Sequence, residues 1–333
     1  MRCLNRRVSL VVCALLSLVS FSVAAQTRNC TPLERSDGDT DLGTLEIPGG
    51  MRAAVRMQHL PFGVHLPDNP DNEQLLYQWG YMLSHDPDLR TTLWVSYALD
   101  HRDIDGAQGQ PRVNCFRGDP RLDSGERATT TDYREPIYDQ GHMANDADFK
   151  DEILEQVNTY VMSNMSPQHC RFNRGIWLSL EHLGRIWAAE NGYGAVHVTS
   201  GAIFDRDGTQ RRDADDDALR MESNNNRARV AVPSHYYKVF LRQDEDGWHS
   251  FSVLLPHTNT NHGVSWQFVR PDVQNAVVSI EEIESLASLT LHPSLDRDEL
   301  QQSQDGDGWD LTFGRANLNS TISDSDNCVI TIP

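Results

Sequence analysis

A histidine beside a glycine and several acidic residues is the first group in this sequence whose residue types could perform catalysis. It lies in the segment Asp139-Gln140-Gly141-His142-Met143-Ala144-Asn145-Asp146. A neutral histidine can take a proton from water near physiological pH, and a neighbouring glycine permits a close backbone approach or an unusual turn. Asp139 could accept a hydrogen bond that fixes the imidazole tautomer. Because a lone histidine beside a glycine is more often structural, this segment alone does not establish a general base.

A second segment, residues 164–185, places polar side chains beside the apolar side of a predicted helix. At about 100° per residue, the apolar stripe comprises Ile176, Leu180, Leu183 and Trp187. An adjoining stripe comprises Asn173, Trp177, Glu181 and Arg185. An ordinary amphipathic helix explains the apolar residues. It gives no reason for an amide, a carboxylate and a guanidinium to line up beside the core.

Together, the two segments resemble the signature of the DNA/RNA non-specific endonucleases that have a ββα-metal (His-Me finger) active site. That signature is D-R-G-H, followed by N-x-x-P-Q and then by N-x-x-x-W-x-x-L-E, and its three parts begin here at Asp139, Asn164 and Asn173. Further matches in the same order lie at residues 131–133, 199–201, 232–239 and 279–284. The resemblance covers about residues 75–295, and so many ordered matches are more specific than any single motif.

The resemblance implies a chemical role for each matching residue. His142 corresponds to the general base, and Asn173 corresponds to the one direct protein ligand of magnesium. Glu181 corresponds to a carboxylate that binds metal-coordinated water, and Arg185 corresponds to an arginine that contacts the phosphate. The implied reaction is the hydrolysis of phosphodiester bonds in DNA or RNA without strong sequence specificity, leaving 5′-phosphate products.

Two further residues have supporting roles by the same resemblance: Asn164 lies near the site, and Asp139 holds the first motif in place. Magnesium keeps most of its waters and needs few protein oxygens, so a single amide ligand suits it. The implied cofactor is therefore Mg²⁺, with Mn²⁺ or another divalent cation as the alternative. The metal would stabilise charge on the transition state, and a metal-bound water could protonate the leaving oxygen.

The sequence departs from the family pattern at several positions near the proposed site. Gln140 stands where the family has arginine, and Asn145 and Asp146 replace a proline and a small residue. A further phosphate-binding arginine lies upstream in some members. Arg112 and Arg117 are candidates for it, although neither has the expected offset. These departures bear on substrate affinity more than on cleavage, because the base and the metal ligand are intact.

The segments that position these residues alternate between predicted strands and predicted helices. Runs rich in β-branched and aromatic residues predict strands at 92–99, 195–204, 228–241 and 248–255. Helical periodicity predicts helices at 146–162, 173–190 and 279–288. We therefore expect an α+β fold with a mixed, largely antiparallel central sheet flanked by helices. The resemblance adds a ββα-metal motif at the active site.

Composition along the chain predicts four segments. Residues 1–25 have the layout of a signal peptide, and residues 26–70, rich in Gly, Asp and Pro, predict an irregular N-terminal extension. Residues 71–295 form the predicted endonuclease domain, and residues 296–333 predict a polar, acidic C-terminal tail.

The predicted signal peptide indicates a secreted or periplasmic protein without stable membrane association. Its basic start contains Arg2, Arg6 and Arg7, and its apolar run, residues 8–19, is followed by small residues ending at Ala25. A transmembrane anchor is the alternative, but the run is shorter than the roughly 20 residues that cross a bilayer. Removing the three arginines changes the formal charge from −19 to −22. Such a charge argues against a broad basic surface for nucleic acid, although a local basic pocket remains compatible with DNA or RNA as substrate.

The cysteine count predicts disulfide bonds in an exported chain. Four cysteines remain after residue 25, namely Cys30, Cys115, Cys170 and Cys328. An even number in an oxidising compartment predicts two disulfides, and the sequence leaves three pairings open. A zinc site is the alternative, but no two of these cysteines have the short spacing of zinc-ligand pairs.

Two other functions fit the same sequence. The negative net charge of the chain, and Gln140 in place of the family arginine, are compatible with a nucleic-acid-binding protein of the same fold that has little catalytic activity. A phosphodiesterase for nucleotides or other small phosphodiesters would use the same base and metal. The sequence does not distinguish DNA from RNA as the preferred substrate, and it does not indicate an oligomeric state.

Overall fold

The computed structural model describes residues 28–29, 45–68, 73–106, 112–190, 194–214, 216–222, 230–262, 265–312, 328 and 332. The predicted signal peptide and Cys30 lie outside these residues. Within the described parts of the chain, no helix combines the length and the apolar character needed to span a bilayer.

A seven-stranded sheet lies at the centre of the fold. From one edge to the other its strands are β3 (Gln74–Tyr77), β4 (Met82–Asp86), β5 (Thr91–Leu99), β9 (Val196–Ile203), β10 (His235–Asp244), β11 (Gly247–Pro256) and β13 (Gln301–Gln302). Neighbouring strands are antiparallel except β11 and β13, which are parallel. Three short pairs lie outside this sheet: β1 (Arg28–Asn29) with β6 (Val113–Asn114), β2 (Leu66–Pro67) with β12 (Leu289–Thr290), and β7 (Tyr138–His142) with β8 (Met165–His169).

Helices cover this sheet, which confirms the predicted α+β class. Among the described residues they are α1 (Arg52–His59), α2 (His101–Gly106), α3 (Ile153–Asn158), α4 (Cys170–Phe172), α5 (Leu178–Ala189), α6 (Trp266–Asn275) and α7 (Ile280–Ala287). The side chain of Ser279 accepts a hydrogen bond from the backbone N–H of Glu282 and so caps α7.

The two faces of the sheet carry different groups because side chains alternate along a strand. Val95, Ser200 and Lys238 are aligned across β5, β9 and β10 on the face that packs against α5. On this face Trp187 of α5 packs edge-on against Phe240, with ring centroids 5.0 Å apart. Both faces are buried in the central strands, so β5 is buried along nearly its whole length.

Strands β7 and β8 form an antiparallel hairpin, and α4 follows directly to complete the predicted ββα unit. Gly141 pairs with Ser166 in this hairpin. A Cβ atom at residue 141 would lie 2.3 Å from the side chain of Gln168, so a larger residue would displace that buried side chain. The glycine beside His142 therefore gives Gln168 the space that it occupies between the two strands.

The predicted helix at 173–190 forms, but its first turn is not α-helical. Residues Asn173–Trp177 form a π-helical turn between α4 and α5. Gly175 has φ −112° and ψ −105° inside this turn, a conformation outside the helical region. Such π turns are frequent at functional sites because they change the direction in which side chains project.

Two predicted elements are wrong in extent. The helix predicted at 146–162 is a 3-10 turn (Asp146–Asp148), the short helix α3 and a second 3-10 turn (Met162–Asn164). Asn145 accepts a hydrogen bond from the backbone of Ala147, and such local bonds compete with a continuous helix. The strand predicted at 228–241 begins at His235, after a proline that cannot donate to a ladder.

Both ends of the described chain contribute to the core, in contrast to two predictions. The N-terminal segment is not irregular throughout, because α1 places Val55 in the core beside Ile47 and Leu60. Residues 296–312, which the sequence assigns to the polar, acidic C-terminal tail, belong to the folded domain, because β13 joins the sheet and Trp309 and Leu311 are buried in the same core. The apolar residues of these segments pack, while their acidic neighbours stay at the surface.

A disulfide joins Cys170, at the start of α4, to Cys328, which is 158 residues away along the chain. This is one of the pairings that the sequence left open. Cys115 is also disulfide-bonded, and it lies in a small apolar cluster with Val113, Val157 and Tyr160.

Candidate active site

A cleft of about 670 Å³ opens beside the ββα unit and collects most of the predicted site residues. Those at its wall are Arg112, Asp139, Gln140, His142, Asn173, Glu181 and Arg185. Asn164 is buried and does not line the cleft, and the side chain of Arg117 points into the protein interior. The two segments singled out in the sequence therefore meet in one place.

His142 ends strand β7 and is largely buried at the cleft wall. Its ring packs against the ring of Tyr160, with centroids 4.8 Å apart, and lies 5.7 Å from the ring of Phe116. Burial lowers the pKa of His142 to about 4, although the nearby carboxylate of Asp146 acts in the opposite direction. The imidazole is therefore neutral at physiological pH, as a general base requires.

Asp146, Tyr160 and Arg112 form a polar network next to His142. The hydroxyl of Tyr160 donates to Asp146 at 2.8 Å, and Nε of Arg112 donates to the Tyr160 oxygen at 3.1 Å. The guanidinium of Arg112 lies 3.8 Å from the Asp146 carboxylate. Burial alone would raise the pKa of Asp146, but His142 and Arg112 lower it overall, so the carboxylate stays charged.

Asn173 opens the π turn, and its amide is held by Asp139. The Nδ2 group of Asn173 donates to Asp139 at 2.8 Å. Arg174 donates to both oxygens of the same carboxylate, at 2.8 and 2.7 Å. The Oδ1 atom of Asn173 is thereby left as the amide atom for an external partner.

Asp139 was expected to fix the imidazole tautomer, and this expectation is wrong. Asp139 and His142 are three residues apart on β7, so their side chains leave the strand on opposite sides. The carboxylate binds Asn173 and Arg174 instead.

Glu181 lies one turn into α5 and is buried beneath the cleft surface. Burial raises the pKa of Glu181, while the positive charges of Lys238 and Arg185 lower it. Burial lowers the pKa of Lys238, and the Glu181 carboxylate opposes that change. The two groups therefore favour each other's charged forms across the interior.

Arg185 is ion-paired with Asp148 at 2.7 Å, and 15% of its side chain is exposed. Tyr97 donates to the other oxygen of Asp148 at 2.7 Å, and Asn145 donates to Asp148 at 3.1 Å. A guanidinium has five N–H donors in a rigid plane, so pairing with Asp148 orients Arg185 and leaves donors for the cleft.

Asn164 is fully buried and supports the chain that follows His142. Its Oδ1 accepts from the backbone N–H of Ala144 at 2.9 Å, and its Nδ2 donates to the carbonyls of Ala144 and Thr159. These three bonds join the two segments that flank the hairpin. The supporting role of Asn164 in catalysis stays a prediction.

Of the two upstream arginines, Arg112 reaches the cleft and Arg117 does not. The side chain of Arg112 is 51% exposed at the cleft wall. Arg117 donates instead to the carbonyls of Cys115 and Val157 and to the side chain of Asn158, all in the interior. Arg117 is therefore a structural residue, and its prediction as a substrate contact is wrong.

Sequence reasoning missed several residues around the site. Lys238, Asp148 and Tyr160 are buried partners of the predicted residues, and Phe116 and Lys150 line the cleft. The one available signal was the presence of a lysine in a strand of otherwise apolar and aromatic residues, Tyr236 to Leu241. Contacts between segments far apart in the sequence leave no local pattern.

The donor set of the cleft fits a hard divalent cation. The amide oxygen of Asn173, which is oriented by the bond to Asp139, and the carboxylate of Glu181 both lie at the cleft. Oxygen ligands of this kind are those that Mg²⁺ prefers. Asn173 and Glu181 are the cleft residues that could hold such an ion.

Comparisons with known proteins agree with this geometry. A family model described as DNA/RNA non-specific endonuclease matches residues 64–298. Human mitochondrial endonuclease G is 27% identical over 227 residues, which cover 68% of this chain and 72% of that protein. Nuclease C1 of Cunninghamella echinulata var. echinulata is 28% identical over 219 residues, which cover 65% of this chain and 81% of that protein. The crystal structure of an EndoG/EndoGI complex aligns with a TM-score of 0.61 and 26% identity, covering 74% of this chain and 94% of the matched chain.

Proposed function

Because the chain belongs to the DNA/RNA non-specific endonuclease family, we propose that it is an exported, Mg²⁺-dependent endonuclease that cleaves DNA, RNA or both without strong sequence specificity. Its products would carry 5′-phosphates. One observation carries this proposal: a neutral histidine, an oriented asparagine amide and a buried glutamate from two separate segments line one cleft.

His142 would act as the general base. Its Nε2 atom is buried and has no hydrogen-bond partner among the described residues, so we assign proton acceptance to Nδ1. Neutral at physiological pH, the ring can accept a proton from the water that attacks the phosphorus. The indole N–H of Trp177 donates to the backbone carbonyl of His142 at 3.1 Å and so helps to fix the main chain at the base.

Asn173 and Glu181 would hold the metal, as the donor set indicates. A bound divalent cation supplies Lewis-acid stabilisation of the negative charge that develops at the phosphate. Asp139 keeps the Asn173 amide in the orientation that presents its oxygen.

Cationic side chains of the cleft would hold the substrate phosphate. Arg185 is oriented by Asp148, and Arg112 is half-exposed on the His142 side. Gln140 occupies the cleft wall and makes no side-chain hydrogen bond with the residues that the structure describes. The enzyme would therefore grip DNA or RNA through a few local cations on an otherwise acidic protein.

We propose a secreted or periplasmic location for this activity. The layout of residues 1–25 and the acidic balance of the chain support it. Disulfide bonds at Cys170, Cys328 and Cys115 also suit an oxidising compartment.

A gel assay tests the proposed function directly. Purified protein is incubated with plasmid DNA and with RNA, with Mg²⁺ or with a chelator, beside the variant His142→Ala and a circular-dichroism check of its fold. We expect Mg²⁺-dependent degradation by the wild type and a loss of ~10²–10⁴-fold in the variant. Absence of cleavage by the wild type would favour a binding protein, and cleavage of small phosphodiesters alone would favour a phosphodiesterase. Activity of His142→Ala within a few-fold of wild type would refute the assignment of the base.

A further inference from the structure

Lys238 is a fully buried lysine in the middle of strand β10. Lysine is almost never fully buried unless its charge is paired. The ammonium donates to the hydroxyl of Ser200 at 2.7 Å and lies 4.1 Å from the ring centre of Trp177. A hydroxyl and an aromatic ring hold an ammonium in place, but neither neutralises it.

Groups of both charges face Lys238. Burial lowers its pKa, the carboxylates of Glu181 and Asp148 favour the ammonium form, and the guanidinium of Arg185 opposes it. The fold thus places the ammonium between the sheet and the start of α5, where two carboxylates favour its charge. Burying such a charge is costly, and an apolar side chain of similar length would fill the same space without that cost.

Trp177 links this lysine to the proposed base. Its ring covers the ammonium of Lys238, and its Nε1 group donates to the carbonyl of His142 at 3.1 Å. Trp177 is fully buried at the end of the π turn that begins with Asn173. A cation–π contact has a preferred geometry, because the ammonium is attracted to the face of the ring. The orientation of the ring also fixes the direction of its N–H.

We propose that Lys238 is a positioning residue for catalysis, fixing the Trp177 ring so that the indole N–H holds the main chain at His142. The inference rests on the proposed nuclease function only for its kinetic consequence. The contact chain Ser200, Lys238, Trp177, His142 runs from the central sheet to the proposed general base, and of these four residues His142 lines the cleft.

A double-mutant cycle tests this linkage. Lys238→Met removes the charge and keeps the length, Trp177→Phe removes the indole N–H, and the third variant carries both changes. We expect each single variant to lower kcat on DNA roughly tenfold with little change in KM, because small displacements of a base are costly. The double variant should lose no more than the poorer single variant. Losses that multiply, or a kcat of Lys238→Met equal to wild type, would overturn the proposal.

Two comparisons separate positioning from stability. Tyr237→Phe removes a buried hydroxyl from the neighbouring residue on the opposite face of β10, and it should leave kcat unchanged. Lys238→Arg should recover part of the kcat lost in Lys238→Met, because a guanidinium also stacks on aromatic rings. If Lys238→Met does not fold, Lys238→Gln, which also removes the charge, replaces it in the cycle.

A spectroscopic measurement tests the contact chain even if no nuclease activity is found. The indole N–H resonance of Trp177, identified by its absence in Trp177→Phe, should be protected from solvent exchange in the wild type. In Lys238→Met its chemical shift should change and its exchange should become faster. An unchanged shift and exchange rate would show that Lys238 does not orient Trp177. A wild type that lacks cleavage activity would refute the proposed function without deciding this point.

Discussion

At the scale of single residues, the hydrogen bond from Asn173 to Asp139 determines which amide atom Asn173 offers to a ligand. Rotation of an asparagine amide decides whether its oxygen or its nitrogen faces the cleft. A metal cation binds only the oxygen, because the NH₂ group is a hydrogen-bond donor. The bond from Nδ2 to Asp139 selects one rotation. Outer partners of this kind usually tune metal affinity without touching the metal.

We predict that Asp139→Asn raises the Mg²⁺ concentration needed for half-maximal activity by ~10–100-fold. The neutral side chain orients Asn173 less firmly and leaves Arg174 without its charge partner. Magnesium titrations of cleavage would measure the change, with Arg174→Gln as the matched variant that keeps the bond between Asp139 and Asn173. An activation curve that does not move in Asp139→Asn would remove Asp139 from the support of the metal ligand.

Gln140 provides a second prediction at this scale. A charged bidentate contact to phosphate is stronger than a neutral amide contact. Gln140→Arg should therefore lower the apparent KM for polymeric DNA at low salt, with a smaller change in kcat. The gain should shrink as salt rises, because the added contact is electrostatic. Steady-state kinetics at two salt concentrations would show this, and a KM that does not improve at low salt would indicate that other residues hold the phosphate.

At the scale of elements, the disulfide between Cys170 and Cys328 fixes the start of the helix that carries the site. Cys170 begins α4, three residues before Asn173, and its partner lies near the other end of the chain. A cross-link that closes so long a loop restricts the unfolded chain strongly. It ties the C-terminal segment to the ββα unit.

We predict that Cys328→Ser lowers the free energy of unfolding by about 2–5 kcal/mol. Denaturant unfolding with and without reductant would measure the loss, and reductant should have a smaller effect on the variant than on the wild type. Mass spectrometry of the exported wild type should show a gain of four protons on reduction of Cys30, Cys115, Cys170 and Cys328. Four free thiols before reduction would contradict both the disulfides and part of the argument for export.

At the scale of the whole molecule, the core contains several neutral histidines. Burial lowers the pKa of His59 and His197 to about 4 and that of His65 and His257 to about 3, from an ordinary value of 6.5. Below pH 6.5 the unfolded chain takes up protons that the folded protein does not. The stability that these groups contribute is present above pH 6.5 and is lost as the pH falls through 4 and then 3.

Two partly buried carboxyl groups change the stability in the opposite direction. Burial raises the pKa of Glu155 to about 7 and that of Asp103 to about 6. Their contribution is present below their ordinary values of 4.5 and 3.8 and is lost as the pH rises through 6 and 7. It therefore offsets part of the histidine effect at mildly acidic pH.

We predict that the free energy of unfolding falls as the pH decreases below 6.5, most steeply between about pH 5.5 and pH 4, where the unfolded chain is protonated at these histidines and the folded protein is not. Chemical unfolding followed by circular dichroism at pH 7, 6, 5, 4 and 3.5 would measure this dependence. His65→Gln should flatten the acid side of the curve, whereas the exposed His101→Gln should not. A stability that stays constant down to pH 3.5 would show that the imidazoles are accessible to protons in the folded protein.

The sequence by itself determined the family and the two motif segments, and it predicted His142 as the base and Asn173 as the metal ligand. It also determined the strands whose apolar and aromatic runs are long, such as β5 and β11. These features are local: residue type, spacing and periodicity are properties of a short stretch of chain. The catalytic roles carried over from the family remain predictions for the experiments above.

Only the tertiary structure decided which side chains meet. It turned Asp139 away from His142 and toward Asn173, and it directed Arg117 into the interior. It brought Lys238 beneath Trp177 from a strand 61 positions away along the chain. Such contacts depend on strand register and on the π turn at Gly175, which are set by the packing of distant segments against one another and not by local propensity.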